Sequence, residues 1–167
     1  MNLLELPVIS STRRNHGLEH ATIHVLSERI PNLRIVGRAQ PNGFYLYGKV
    51  KTEEVAQAAN EAIRRMRAGE HHLAVHPGCG TNLVASGLLS GGLAFLLSLF
   101  SGRRARWYER LPNAVMGGMA GVAIARPVGP WLQANVTTSA DMHAMRVRHI
   151  VRSQAGQMIT HFVETAS

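Results

Sequence analysis

The chain has 167 residues, enough for one domain with a modest core. Its formal net charge is +8, from 18 Lys+Arg against 10 Asp+Glu, a balance that suits nucleic acid or anionic lipid surfaces. Four Phe, three Tyr and two Trp form no alternating aromatic–basic platform, and there is no zinc-finger spacing or continuous basic helix, which argues against a nucleic-acid partner.

Met1 to Ile9 contains Glu5 and Pro7 and lacks a basic start and a long apolar core, so it does not read as a secretory signal. Ser10-Ser11-Thr12 can start a turn, and Asn15 is placed to cap a helix opening at His16. Leu18, Ala21, Ile23, Val25, Leu26 and Ile30 give a helical apolar pattern as far as Arg29, which Pro31-Asn32 ends. Leu33, Ile35 and Val36, then Phe44 to Val50, flank the turn Gln40-Pro41-Asn42-Gly43, so residues 33–50 predict a β-hairpin. Thr52 reads as the N-cap of a second helix, with Glu53 and Glu54 in its first turn and Arg64, Arg65 and Arg67 in its last. Val55, Ala58, Ala59, Ala62, Ile63 and Met66 line one face and Gly69 stops it. Leu73-Ala74-Val75 reads as a short strand that delivers His76 to a turn.

The first of these helices carries His16-Gly17-Leu18-Glu19-His20, an H-x-x-E-H run. Four residues apart on a helix, His16 and His20 share a face and can offer two imidazoles to one ion. Glu19 then lies beside the ion without binding it, where a general base is needed, which is the inverzincin arrangement. A helix with two ligands needs a third from elsewhere. His76-Pro77-Gly78-Cys79-Gly80-Thr81-Asn82 offers His76 and Cys79, the only cysteine, so no intrachain disulfide forms.

Directly afterwards, Asn82 to Phe100 is uncharged and mostly apolar, long enough to cross a bilayer as a helix. Gly87 and Gly91 form a G-x-x-x-G pair suited to close helix contact. A basic loop, 101–112, carries Arg103, Arg104, Arg106 and Arg110. Asn113 to Ala125 is again small and apolar, with Gly117, Gly118 and Gly121, and ends at Arg126-Pro127, so the second span is expected to be short or broken at the proline. The pair reads as a hairpin packed through glycines. Met142–Arg152 and Met158–Val163 then read either as two strands about Gln154-Ala155-Gly156, extending the sheet, or as helical segments.

The expected fold class is therefore α+β. A small helix/β-hairpin/helix/strand metal-site domain (1–81) is followed by an inserted two-helix membrane hairpin (82–132). A C-terminal β or α/β extension (133–167) packs back on the first domain.

The pairing of His16-Gly17 and Glu19-His20 with His76-Pro77 and Cys79-Gly80-Thr81-Asn82, just ahead of a membrane span, resembles the YqhQ-type family of bacterial membrane proteins, described as predicted metal-dependent enzymes. The resemblance is confined to these two motifs and the order of parts around them. The chain is shorter and has fewer spans, which points to a related domain-of-unknown-function family. The resemblance implies a shared site and names no substrate.

The expected chemistry follows from ligand number. His16, His20 and His76 would leave an open, catalytic position on zinc or another divalent transition metal. Cys79 as a fourth ligand would close it into a structural site. In the open case Glu19 is the proton acceptor of a peptidase-like hydrolase near the bilayer. The other reading is a non-enzymatic membrane protein with a structural metal, acting as scaffold or partner subunit. A third is Cys79 as nucleophile with His76 or His16 as its base. His24 continues the His20 line but reads as a supporting or surface histidine. His71, His72 and Glu28 read as surface residues, and His143, His149 and His161 show no convergent spacing. The expected partners are the lipid bilayer and a second copy through glycine faces. The expected place is the cell membrane, with the soluble part on the cytoplasmic side, because a short loop is translocated more readily than a domain. The basic loop opposes this by the positive-inside rule.

Overall fold

A computed structural model describes residues 3–102 and 105–166. Among them are four α-helices and four strands, an α+β architecture in the order α1 (Pro7–Arg29), β1 (Ile35–Gln40), β2 (Gly43–Gly48), α2 (Thr52–Arg67), α3 (Gly80–Leu99), α4 (Trp107–Leu132), β3 (Arg146–Ala155), β4 (Met158–Ala166). The chain divides into two compact units, 1–76 with 134–167, and 77–133.

In the first unit the strands form one antiparallel sheet of order β1-β2-β4-β3. The C-terminal segment is thus the strand pair, not helix, and β4 lies in the middle of the sheet. Side chains alternate across a strand, so Phe44, Leu46, His161 and Val163 share one face. That face is buried with Leu18, Ala21, Val25 and Leu26 of α1 and Val55, Ala58, Ala62 and Met66 of α2. Tyr45, Tyr47 and Phe162 stack in a row on the other face, with Tyr45 and Phe162 ring centres 4.7 Å apart. Arg67, at the end of α2, donates to the carbonyls of Met142, His143 and Met145 at 2.9, 3.1 and 2.7 Å, which holds the chain leading into β3.

Several local expectations are corrected. α1 opens at Pro7, whose fixed φ suits a first helical position, and not at His16. Asn15 is therefore inside the helix, buried. Its amide donates to the carbonyls of Gln40 and Pro41 and its oxygen accepts from the Thr165 hydroxyl at 2.6 Å. Lys51, not Thr52, is the N-cap of α2, with its N–H on the Glu54 carboxylate. Thr52 instead meets His161 Nε2 at 3.2 Å. Residues 71–74 form a 3-10 turn and not a strand.

In the second unit α3 and α4 run antiparallel. α4 is one continuous helix of 26 residues that contains Pro112, Pro127 and Pro130, so the helix does not end at Pro127 as the breaker rule leads one to expect. It passes into a π-helical turn, Gln133–Thr137, just after the last prolines, where the i−4 bonding that proline disrupts is already being given up. The glycines that pack the pair belong to α4. A Cβ on Gly117 or Gly121 would strike the α3 backbone at Leu93 or Leu89, and one on Gly129 would strike the Asn82 amide. Gly87 and Gly91 of α3 have nothing within 4 Å, so the expected G-x-x-x-G contact within the hairpin is not made. At one end of the pair Gln133 donates to Asn82, and Asn82 to the Pro77 carbonyl, at 2.7 and 2.9 Å. At the other, α4 starts at Trp107, so the basic loop is shorter than 101–112. Arg103 and Arg104 lie outside the described residues. α3 is the one described helix long and apolar enough by composition to cross a membrane.

Candidate metal centre

Three histidines, His16, His20 and His24, fall one helical turn apart along α1, and the fold meets each with a backbone carbonyl. His16 Nδ1 lies 2.9 Å from Thr137 O, and His20 Nδ1 lies 2.7 Å from Ala74 O. His24 uses its other nitrogen, Nε2, on Val75 O at 2.9 Å. A carbonyl only accepts, so the nitrogen facing it carries the proton. In the neutral rings of His16 and His20 the lone pair therefore sits on Nε2. This is how metal-binding imidazoles are held, with one nitrogen oriented by the protein and the other presented to the ion.

The rings are close. His16 and His20 have centres 4.4 Å apart at 62°, and ligand nitrogens within 4.8 Å. His76 packs between His20 and His24, 5.7 and 5.0 Å away. Burial, then the charges of His24 and His20, push the His76 pKa down to about 4, so it is neutral at neutral pH, the form a metal ligand needs. The two rings held this way offer imidazole nitrogens, a donor type that suits zinc and the later divalent transition metals. These residues fit an ion on both tautomer and protonation state.

Gly17 explains how the chain reaches His16. It is buried, and a Cβ there would overlap the carbonyl of Ser139. The returning segment 135–139 lies against α1 at this point. Ser139 N–H donates to Arg13 O, and the Arg13 guanidinium donates to the carbonyls of Asn135 and Thr138. Only a glycine allows that approach, and the approach brings Thr137 O to His16.

Glu19 is 4% exposed. It points toward the sheet, over Gly37 of β1, where a Cβ would overlap its carboxylate. Gly37 is therefore a cradle for Glu19. Cys79 belongs to the second unit, where it is the N-cap of α3 and its sulfur accepts from Thr81 N–H at 3.5 Å. It follows His76 by three residues, a covalent reach of about 10 Å.

Of the expected residues, His16, His20 and His76 are gathered in one unit. His24 joins them in contact with His76, more closely engaged than a surface residue. Gly17 stood in the sequence only as part of the motif, although a glycine inside a helix carries a cost of about 1 kcal/mol that calls for a reason, and Gly37, in β1, gave no signal. His71, His72, His143 and His149 are exposed, and Glu28 pairs with Arg65 at 2.7 Å, as surface residues do.

The chain matches, over residues 11–150, the family described as Domain of unknown function (DUF6391), and it belongs to that family. An uncharacterized protein of Picosynechococcus sp. is 34% identical over 145 residues, which cover 78% of this chain and 67% of the relative. No solved structure matches it.

Proposed function

We propose that this member of the DUF6391 family is a membrane-embedded, metal-dependent hydrolase of the peptidase kind, with His16, His20 and His76 as ligands and Cys79 as the candidate fourth. The observation that carries the metal is the pair of carbonyl clamps on Nδ1 of His16 and His20, which set both rings in the ligand tautomer. The motif resemblance to the YqhQ-type proteins supports the same ligand set. A bound zinc ion would supply Lewis acidity at this point. The protein's own residues do the rest. Thr137 and Ala74 orient the rings, and Glu19, buried beside them in the chain, takes the proton of the attacking water and returns it to the leaving group. A low-dielectric surround strengthens each of these interactions.

The bilayer reading rests on α3 and α4. Leu83, Leu88, Phe95, Met116, Met119 and Trp131 are each 60% exposed or more, which apolar surface in water rarely sustains. Trp107 and Trp131 lie about 36 Å apart along α4, the spacing of the two interfacial belts. We place the first unit on the cytoplasmic side, since the connection between the spans is short. The outward Gly87–Gly91 face of α3 suits a second copy.

One observation favours a second reading, a structural ion in a non-enzymatic scaffold: Glu19 lies over Gly37, in the core. Metal analysis of detergent-purified protein separates the two. About one zinc per chain, lost in His16→Ala and kept in Glu19→Gln, establishes the site. A peptidase or esterase screen in which Glu19→Gln is inactive then supports the enzyme, and an equal background for both proteins supports the scaffold. No transition metal after reloading in any variant overturns both readings.

A further inference from the structure

We infer that the outer groove of the α3–α4 pair binds one anionic phospholipid, its acyl chain lying along the groove and its phosphate on Arg126. The inference rests on the reading of α3 and α4 as spans. The groove has a volume of about 610 Å³ and is lined by Val115, Gly118, Met119, Val122 and Ala123 of α4, Ser90 of α3, and Arg126. Those α4 positions recur at three- and four-residue intervals, so they form one stripe along the helix. From Val115 to Arg126 the stripe runs about 16 Å, the length of an acyl chain's inner portion. Gly118 and Ala123 supply the hollow. A Cβ on Gly118 would meet nothing nearer than the Ala94 methyl at 3.9 Å, so this glycine is not needed for helix packing, unlike Gly117 beside it.

Arg126 supplies the specificity. No hydrogen bond or ion pair is made by its guanidinium among the described residues, and it is the only charged side chain between Leu111 and Leu132. An unpaired guanidinium in a span is costly and reaches for the interface or for a counter-charge. It lies about 7.5 Å along the helix from Trp131, whose ring marks the headgroup level. A cation there, above an apolar groove that faces lipid, is complementary to a phosphodiester with its chain below. A guanidinium matches phosphate by two parallel N–H bonds, so a zwitterionic headgroup, whose ammonium it repels, is the poorer ligand.

Native mass spectrometry of the full chain, released from detergent with equimolar phosphatidylglycerol and phosphatidylcholine, tests this. The wild type is expected to retain one phosphatidylglycerol in preference by about fivefold, the effect of one cation near an anionic headgroup. Arg126→Gln loses the preference, Arg126→Lys keeps part of it, and Gly118→Leu, which fills the groove, loses retention of both lipids. Unchanged retention in Arg126→Gln and Gly118→Leu overturns the inference. So does an inter-chain disulfide in Val122→Cys, which would put a second copy in the groove. Carbonate extraction of membranes keeps this result separate from the bilayer reading: protein released to the supernatant refutes the spans, whereas retained protein without lipid preference refutes only the lipid site.

Discussion

His20 Nδ1 donates to the carbonyl of Ala74 across 2.7 Å, although 54 positions separate them in the chain. The helix that carries the H-x-x-E-H run and the turn that presents His76 are therefore one piece of structure. The bond is buried, with His20 2% exposed, so its loss leaves a carbonyl without its partner and a cavity. His20→Ala is expected to destabilise the first unit by about 2–4 kcal/mol. Hydrogen exchange should show the change concentrated at residues 71–75. Protection there equal to wild type would mean the turn is held by other contacts.

Gly17 and Gly91 give opposite expectations for the same substitution. Gly17→Ala drives a methyl into the Ser139 carbonyl, and overpacking of this kind costs about 1–3 kcal/mol, more than the helix propensity of alanine returns. Gly91→Ala meets nothing within 4 Å and should be neutral or stabilising in the monomer. Thermal unfolding of both variants, side by side, measures the contrast.

Glu19 and Gly37 should be coupled. Gly37→Ala displaces the Glu19 carboxylate, while the same change in a Glu19→Ala background finds the space empty. A double-mutant cycle by denaturant unfolding is expected to give an interaction of about 1–3 kcal/mol, with the double variant more stable than additivity predicts. Strict additivity would remove the cradle.

His161 makes stability depend on pH. It is fully buried in the sheet, and its Nδ1 finds no hydrogen-bond partner among the described residues. Burial first, then the nearby Arg152 charge, lowers its pKa below the ordinary histidine value of about 6.5. The unfolded chain therefore binds the proton more readily than the folded one. The stabilisation is complete above about pH 6.5 and is lost as pH falls from there toward the lower folded pKa. The stability difference between wild type and His161→Leu should shift against the wild type across that window. A difference constant from pH 7.5 to pH 5 would contradict it.

A metal that binds only the folded protein raises its unfolding temperature in proportion to the logarithm of its free concentration above Kd. Zinc should therefore stabilise the wild type and Glu19→Gln alike, and leave His16→Ala unmoved. Chelation should reverse the effect.

The helices, the hairpin at 33–50 and the apolar pair were legible because each rests on local periodicity and turn chemistry. That His16 and His20 share a helix face was legible because two histidines a turn apart in a helix need no tertiary knowledge. What escaped was non-local. Asn15 resembles a cap by type, but its partners are Gln40, Pro41 and Thr165, which no spacing reveals. Pro127 reads as a breaker by local rules, yet α4 continues through it. Gly87 and Gly91 match a packing motif, yet it is Gly117, Gly121 and Gly129 that face the neighbouring helix. His24 looks like a bystander until Val75 and His76 are beside it.

The placement of β4 sets an order of events during synthesis. This strand is made after α3 and α4, yet it sits between β2 and β3, with Thr165 N–H on the Asn42 carbonyl. While the ribosome is still translating α3 and α4, half of the sheet does not exist and β2 has an open edge. The apolar pair is complete before the sheet of the first unit can close. A nascent chain stalled before Met158 would carry a finished pair of apolar helices and an unfinished sheet with an exposed edge, a state quality-control proteases and chaperones recognise.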